Sequence, residues 1–157
     1  MTAPVRIFGI GSPFGDDRVG WLAAEGLQGK FDPAEVDVSV HDRPGLRLVA
    51  LMRGAAQVVL VDAVKSGAVP GSLHRLEGEG IIKAVARYTS THGFGLAEAL
   101  QLAQRLGELP QKIVLWGVEI GSLAGADDLS PAVREALPGL IVGVAGEVGS
   151  AADARRL

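Results

Sequence analysis

The sequence predicts an α/β fold, a three-layer sandwich in which helices cover both faces of a mainly parallel central sheet. Apolar runs of strand length alternate along the chain with stretches of helical periodicity, which is the order of βαβ units. The runs at 5–10, 57–63 and 112–118 are almost continuously apolar, as parallel strands buried on both faces are. Hydrophobic residues make up 48% of the chain, yet no apolar run approaches the ~20 residues of a membrane-spanning helix, so we expect no membrane insertion.

Length and composition limit the classes of protein to consider. With 157 residues we predict a single domain over 1–148 and a flexible C-terminal tail over 149–157. The absence of cysteine excludes disulfides, thiolate metal sites and cysteine nucleophiles. A net charge of −3 without a basic stripe argues against nucleic acid as a partner. The first residues lack the basic and apolar regions of a signal peptide, so we expect a cytoplasmic protein, and we expect it to be a monomer.

In the first half of the chain, three strand-like runs are separated by two helical ones. Glycines end the apolar run at 5–10, and the helix that follows shows apolar residues at i, i+3, i+4 and i+8 before it stops at Gly29. Valine alternates with polar residues at 36–40, the pattern of a half-buried strand, and Pro44 then favours the start of a short helix. The Val-rich run at 57–63 is the most strand-like of the chain.

The second half predicts two more strands and the remaining helices. A turn rich in Gly and Pro leads to a strand at 72–77, for which an antiparallel orientation is open, and a weak helical pattern follows at 81–86. Strong helical periodicity begins at Phe94 and is stopped by a glycine and a proline. Another buried strand occupies 112–118. Ser130 as N-cap, with a proline directly after it, opens the last helix.

Three polar residues are predicted to meet at the carboxyl edge of this sheet. Asp17 follows the first strand, Asp62 closes the third strand, and His92 precedes the helix that starts near Phe94. Ligands of open α/β sheets bind beyond the carboxyl ends of the strands. Two carboxylates and one imidazole suit a first-row divalent ion such as nickel, zinc, manganese or iron. We therefore predict a metal site formed by these three residues.

A purely structural role is open for each of them. Asp16 and Asp17 are positioned to cap the first helix, where carboxylates favour the helix dipole, and His92 lies beside a helix start. Asp62 is harder to explain in this way, because an acid after a Val/Leu run costs free energy to bury unless it is paired or coordinated.

Four motifs, taken together and in this order, resemble one known family. They are G-I-G-S-P-F-G-D-D-R-V-G at Gly9–Gly20, V-D-A-V-K-S-G-A-V-P-G-S-L at Val61–Leu73, S-T-H-G-F-G-L at Ser90–Leu96 and G-V-E-I at Gly117–Ile120. The sequence is similar over nearly its whole length to the hydrogenase maturation endopeptidases, which trim the C-terminal extension of the large subunit of nickel–iron hydrogenases.

The resemblance implies that Asp17, Asp62 and His92 are the nickel ligands. The first loop looks one residue shorter than the commonest form in the family and has Ser12 where Asn is usual, so Asp16 stays open as the ligand instead of Asp17. If Asp17 is the ligand, we expect Asp16 to face solvent or to cap the helix. The nickel would be carried by the precursor, so that cleavage reports its insertion.

Other polar residues are assigned smaller roles. The segment 41–45 stands where many family members carry Asp-Gly-Gly-Thr, a loop thought to help recognise the precursor, so the hydrogenase served is left open. We expect His41 and His74 to be surface histidines on strand ends. His41 and Glu119 are also candidates for a shell that supports the site.

The leading hypothesis is therefore an endopeptidase in which a metal-polarised carbonyl is attacked by water. Whether nickel takes part in the chemistry or is only recognised stays open. The alternative is a nickel-dependent assembly chaperone or binding module on the same fold, without peptidase turnover. A nucleotide-binding flavodoxin-like protein is the weakest option, because Phe14 stands where the dinucleotide fingerprint needs glycine and two acids occupy the helix start.

Overall fold

The computed structural model describes residues 4–88, 95–121 and 128–156, with side chains as far as residue 148. The strands are β1 (Val5–Gly11), β2 (Val36–Asp42), β3 (Gln57–Val64), β4 (Leu73–Glu77) and β5 (Lys112–Glu119). The helices are α1 (Val19–Leu27), α2 (Arg47–Met52), α3 (Glu79–Val85), α4 (Leu96–Arg105) and α5 (Pro131–Arg156), and a 3₁₀ helix (Gly15–Arg18) precedes α1.

The five strands form one mixed sheet in the order β2-β1-β3-β5-β4. Neighbours are parallel from β2 to β5, and β4 pairs antiparallel with β5 at the edge. Every residue of β1 and β3 is buried, because each strand has a neighbour on both sides and helices on both faces. The predicted α/β fold with a mainly parallel sheet is confirmed. The strand predicted at 72–77 is present as β4, and its direction, which the sequence left open, is antiparallel.

The alternation of side chains along the central strands divides the core into two layers. Val59 and Val61 pack against α1 and α5, whereas Val58 and Leu60 pack on the other face against α2, α3 and α4. By the same period of two, Asp62 falls on the face of Val58 and Leu60. Asp62 therefore lies at the end of the layer that α4 covers.

The direction of α4 follows from its connection to the sheet. The short segment 106–111 joins the end of α4 to the start of β5, so the C-terminal end of α4 lies at the amino edge of the sheet. A helix of ten residues is about 15 Å long. The first residue of α4, Leu96, therefore lies towards the carboxyl edge of the sheet, the edge at which the last residues of β3, from Asp62 on, are found.

The last helix is longer than the sequence suggests. The predicted tail from Gly149 is helical as far as Arg156, and its flexibility stays a prediction. The Ser130 carbonyl accepts a hydrogen bond from Arg134 N–H (2.9 Å), as expected of an N-cap residue. Over the described residues, no helix combines the length and the apolar composition needed to cross a bilayer.

Candidate active site

Asp62 lies near the C-terminal end of β3, which continues for two more buried residues to Val64, so the expectation that Asp62 closes the strand is corrected by two residues. Only 4% of its surface is exposed, and its Oδ1 accepts a hydrogen bond from the Ala63 N–H (2.8 Å). Its partner across the β3–β5 ladder is Gly117, where the side chain of Val64 leaves no room for a Cβ. A carboxylate at this position carries a desolvation cost that a purely apolar residue would avoid. The burial predicted for Asp62 is thus observed.

Asp17 is fixed by the loop that follows β1. It is 6% exposed, and its Oδ2 accepts a hydrogen bond from the Ser12 hydroxyl (2.5 Å). Its backbone bonds to the same loop, since the Asp17 N–H donates to the Phe14 carbonyl and the Asp17 carbonyl accepts from the Ser12 N–H. A Cβ at Gly11 would lie 2.1 Å from the Asp17 carbonyl oxygen, so this close turn requires glycine there.

Asp16 is buried as well, and the expectation that it faces solvent or caps the first helix is wrong. It is 6% exposed, its Oδ1 accepts from the Ser130 N–H (2.6 Å), and its Oδ2 accepts from the Ser130 hydroxyl (2.8 Å). Asp16 turns inward because its two hydrogen-bond donors, the N–H and the hydroxyl of Ser130, lie 114 residues further along the chain, at the start of α5. Both oxygens of Asp16 are thus engaged by Ser130, which favours Asp17 as the ligand.

His92 lies outside the described residues, so its position relative to Asp17 and Asp62 stays a prediction. Within the ranges 4–88, 95–121 and 128–148, no cluster of three or more His, Asp or Glu side chains is arranged to hold a metal ion. The metal site predicted from Asp17, Asp62 and His92 lies partly beyond these ranges, because it includes His92.

Glu119 organises the turn that follows β3. Its carboxylate accepts hydrogen bonds from the Ser66 hydroxyl (2.5 Å) and N–H (2.8 Å), from the Gly67 N–H (3.3 Å) and from His74 Nε2 (3.0 Å). Its side chain is 1% exposed. His74 is half-buried between Glu119 and the ring of Tyr88, so its assignment as a surface histidine is wrong. Sequence patterns did not identify Ser66 and His74 as partners of Glu119, because only the pairing of β5 with β3 and with β4 brings them beside it.

The ionised form of Glu119 is the favoured one. Burial by itself raises the pKa of this carboxyl, but the hydrogen bonds from Ser66, His74 and Gly67 outweigh burial and hold the pKa below its ordinary value. A lowered folded-state pKa contributes stability above the unfolded-state pKa, and that contribution is lost as the pH falls through the folded-state value.

Replacing Glu119 with Gln is therefore expected to lower the free energy of unfolding by about 1–3 kcal/mol near neutral pH. The difference from the wild type should shrink as the pH falls below about 4.3, where the unfolded-state carboxyl becomes protonated. Urea unfolding of both proteins across this range measures the effect. Glu77→Gln, at an exposed ion pair with Arg75, is the matched control and should change stability by less than about 1 kcal/mol. An equal loss at every pH would contradict the assignment.

His41 is also half-buried, so the expectation of a surface histidine is wrong for it too. Its ring packs edge-on against Phe8 (5.1 Å between centroids), and its Nε2 lies 2.8 Å from the Ser39 hydroxyl. Burial lowers the pKa of His41, and the nearby charge of Arg47 lowers it further. The imidazole is thus kept neutral at the carboxyl end of β2. Its role in a supporting shell stays a prediction.

The loop after β2 lies against the end of β1. The Arg43 N–H donates to the Gly11 carbonyl (3.0 Å), and Arg43 has a φ of 42°, a left-handed conformation that is uncommon outside glycine. Its guanidinium pairs with Asp42 (2.6 Å) at the protein surface. The segment 41–45 therefore forms part of the rim around the Asp17 loop.

Comparisons with known proteins agree with the family indicated by the motifs. The HycI model of hydrogenase maturation proteases matches residues 23–147. The hydrogenase expression/formation protein HoxM of Cupriavidus necator is 33% identical over 118 residues, which cover 73% of this chain and 58% of that protein. The hydrogenase 2 maturation protease of Escherichia coli is 27% identical over 133 residues, or 83% of this chain and 81% of that protein.

The fold comparison points the same way. The structure of the hydrogenase maturating endopeptidase HybD from E. coli superposes with a TM-score of 0.85 at 24% identity, over 94% of this chain and 93% of that one. At this identity the likeness shows the shared fold. The chain spans somewhat more than half the length of HoxM, the first of the curated relatives. Because the family model matches residues 23–147, the chain belongs to the hydrogenase maturation protease family.

Proposed function

We propose that the protein is an endopeptidase that removes the C-terminal extension of a nickel–iron hydrogenase large-subunit precursor after nickel insertion. Membership of the hydrogenase maturation protease family supports the class of reaction. The E. coli relative named as hydrogenase 2 maturation protease supports a hydrogenase subunit as the substrate. The nickel belongs to the substrate in this proposal.

The observation that carries the proposal is the pair of buried carboxylates at the carboxyl edge of the sheet. Asp17 follows β1 and Asp62 lies two residues before the C-terminal end of β3, and these two strands are parallel neighbours. The 3₁₀ helix that contains Asp17 contacts β3. The two carboxylates therefore lie at one edge, in the place where α/β sheets bind ligands.

We propose His92 as the third ligand. The helix α4 begins at Leu96, and its direction brings that first residue to the carboxyl edge that holds Asp62. His92 precedes Leu96 by four residues in the sequence. Two carboxylate oxygens and one imidazole nitrogen are a donor set that suits nickel among the first-row divalent ions.

The chemistry proposed is hydrolysis of one peptide bond. Asp17, Asp62 and His92 would bind the nickel that the precursor presents and so hold the adjacent peptide at the edge of the sheet. Water adds to the carbonyl carbon, the C–N bond breaks, and the leaving nitrogen takes up a proton, with one of the two carboxylates as the base. A bound divalent ion supplies polarisation of the carbonyl in such reactions.

The test is incubation of the protein with nickel-loaded and nickel-free precursor, followed by intact mass measurement. The proposal predicts loss of the C-terminal peptide from the loaded precursor alone. Tight binding to the loaded precursor without a change of mass would contradict it and would favour a nickel-dependent chaperone. Equal cleavage of both forms would contradict the recognition of nickel.

A further inference from the structure

The residues on both sides of Asp17 are attached to the start of α5. Asp16 accepts two hydrogen bonds from Ser130, and Arg18 Nη2 lies 3.4 Å from Asp128 Oδ1. Asp128 is held in turn by the Leu129 N–H (2.8 Å) and by Arg134 (2.7 Å). Asp128 and Ser130 thus provide two attachments between the 3₁₀ helix and the start of α5.

The two attachments differ in strength. The Arg18–Asp128 pair is long and largely exposed, and pairs of this kind contribute little. The Asp16–Ser130 contact is part-buried, short and made by both oxygens of a carboxylate. Hydrogen bonds to an ionised acceptor are shorter and stronger than neutral ones. Asp16 therefore provides the main connection between the 3₁₀ helix and α5.

We infer that Asp16 is a positioning residue, which fixes Asp17 by tying the loop after β1 to the start of α5. The contacts that Asp17 makes with Ser12 and Phe14 lie within that loop and move with it. The Ser130 contact connects the loop to a helix that packs along the sheet and along α1. This inference rests on the proposed function only in taking Asp17 as a ligand.

Loss of the Asp16 contact is expected to misplace Asp17 and to slow cleavage. Asp16→Ala removes both acceptors, and a shift of about 1 Å in a reacting group lowers rates about 100-fold. Ser130→Ala removes one of the two donors and keeps the N–H, so its loss of kcat/KM should be smaller. In Asp16→Asn the amide oxygen still accepts from the Ser130 N–H, and the amide nitrogen can donate to the Ser130 hydroxyl. A positioning role therefore predicts that Asn restores most of the activity lost in Ala.

The experiment measures kcat/KM for nickel-loaded precursor and, separately, the hydrogen exchange rate of the Asp17 amide. Asp16→Ala should raise that exchange rate about tenfold or more, relative to amides of β5, because the loop opens more often. Glu147→Ala is the matched control, since Glu147 is a buried carboxylate that ties α5 to Arg75 and Trp116 instead of to the loop. It should leave both the Asp17 exchange rate and kcat/KM within about twofold of wild type at a temperature where the variant is folded.

Two results would overturn the inference. If Asp16→Asn is as inactive as Asp16→Ala while the Asp17 amide exchanges as in wild type, Asp16 is itself the ligand. If Asp16→Ala leaves the exchange rate and kcat/KM unchanged, the contact positions nothing. A wild-type protein that does not cleave the precursor would overturn the proposed function instead, and the exchange rates would then decide the inference alone.

Discussion

Replacing Asp62 with Asn is expected to abolish cleavage of the precursor while leaving the protein folded. Asn has nearly the same shape, and its amide oxygen keeps an acceptor for the Ala63 N–H. The change removes the negative charge that a divalent ion requires of this ligand. We expect a change in unfolding free energy of no more than about 1 kcal/mol, which corresponds to about 2–4 °C in Tm. A time course of intact mass, beside a thermal melt, measures both effects.

The matched control is Asp37→Asn, the same substitution at an exposed position of β2. It should leave cleavage and Tm close to wild type, since it lies away from the carboxyl edge. An Asp62→Asn protein that melts early and yet processes the precursor would show that Asp62 is part of the scaffold and not of the site.

Replacing Gly20 with Ala is expected to give the largest loss of stability. A Cβ at Gly20 would lie 2.4 Å from the Ile10 carbonyl oxygen and 2.4 Å from the Val61 carbonyl oxygen. Both contacts are with strand backbone, which has no rotamer through which to yield, so α1 must move away from β1 and β3. Overpacking of this kind costs about 1–3 kcal/mol and at times more, and we expect the upper end. The Tm should fall by about 6–12 °C.

The control for Gly20 is Gly146→Ala, the same substitution within α5. A Cβ there has nothing within 4 Å, and Ala is favoured over Gly in a helix, so a gain of about 0.5–1 kcal/mol is expected. Denaturant unfolding of both variants separates the two effects. Similar stability changes of the same sign would contradict the close approach of α1 to the sheet. Cleavage by the Gly20→Ala protein should also fall, because Asp17 belongs to the 3₁₀ helix that leads directly into α1.

The strands were predictable because their signal is local. The Val-rich run of β3 and the alternation in β2 each identify a strand without knowledge of its neighbours. The strand β4 was predicted after a turn rich in Gly and Pro, but its antiparallel direction was left open. The helical backbone beyond Gly149 was not predicted, because the composition of this segment resembles that of a tail.

The site was only partly predictable, since its residues interact across long sequence separations. Asp62 could be chosen from the cost of an acid after an apolar run, which is a local argument. The burial of Asp16 could not be predicted, because the donors that bind its carboxylate belong to Ser130, 114 residues away. The half-burial of His74 follows from Glu119, 45 residues away, and a short pattern around a histidine carries no such information.

The most direct test of the account is nickel X-ray absorption on the complex of this protein with a nickel-loaded precursor that carries an uncleavable bond. If Asp17, Asp62 and His92 bind the metal, the nickel gains oxygen and nitrogen ligands at about 2.0–2.2 Å when the complex forms. One oxygen ligand is then lost when Asp62→Asn replaces the wild type. A nickel spectrum that is the same in the free precursor and in the complex would contradict a site in which Asp17, Asp62 and His92 bind the metal.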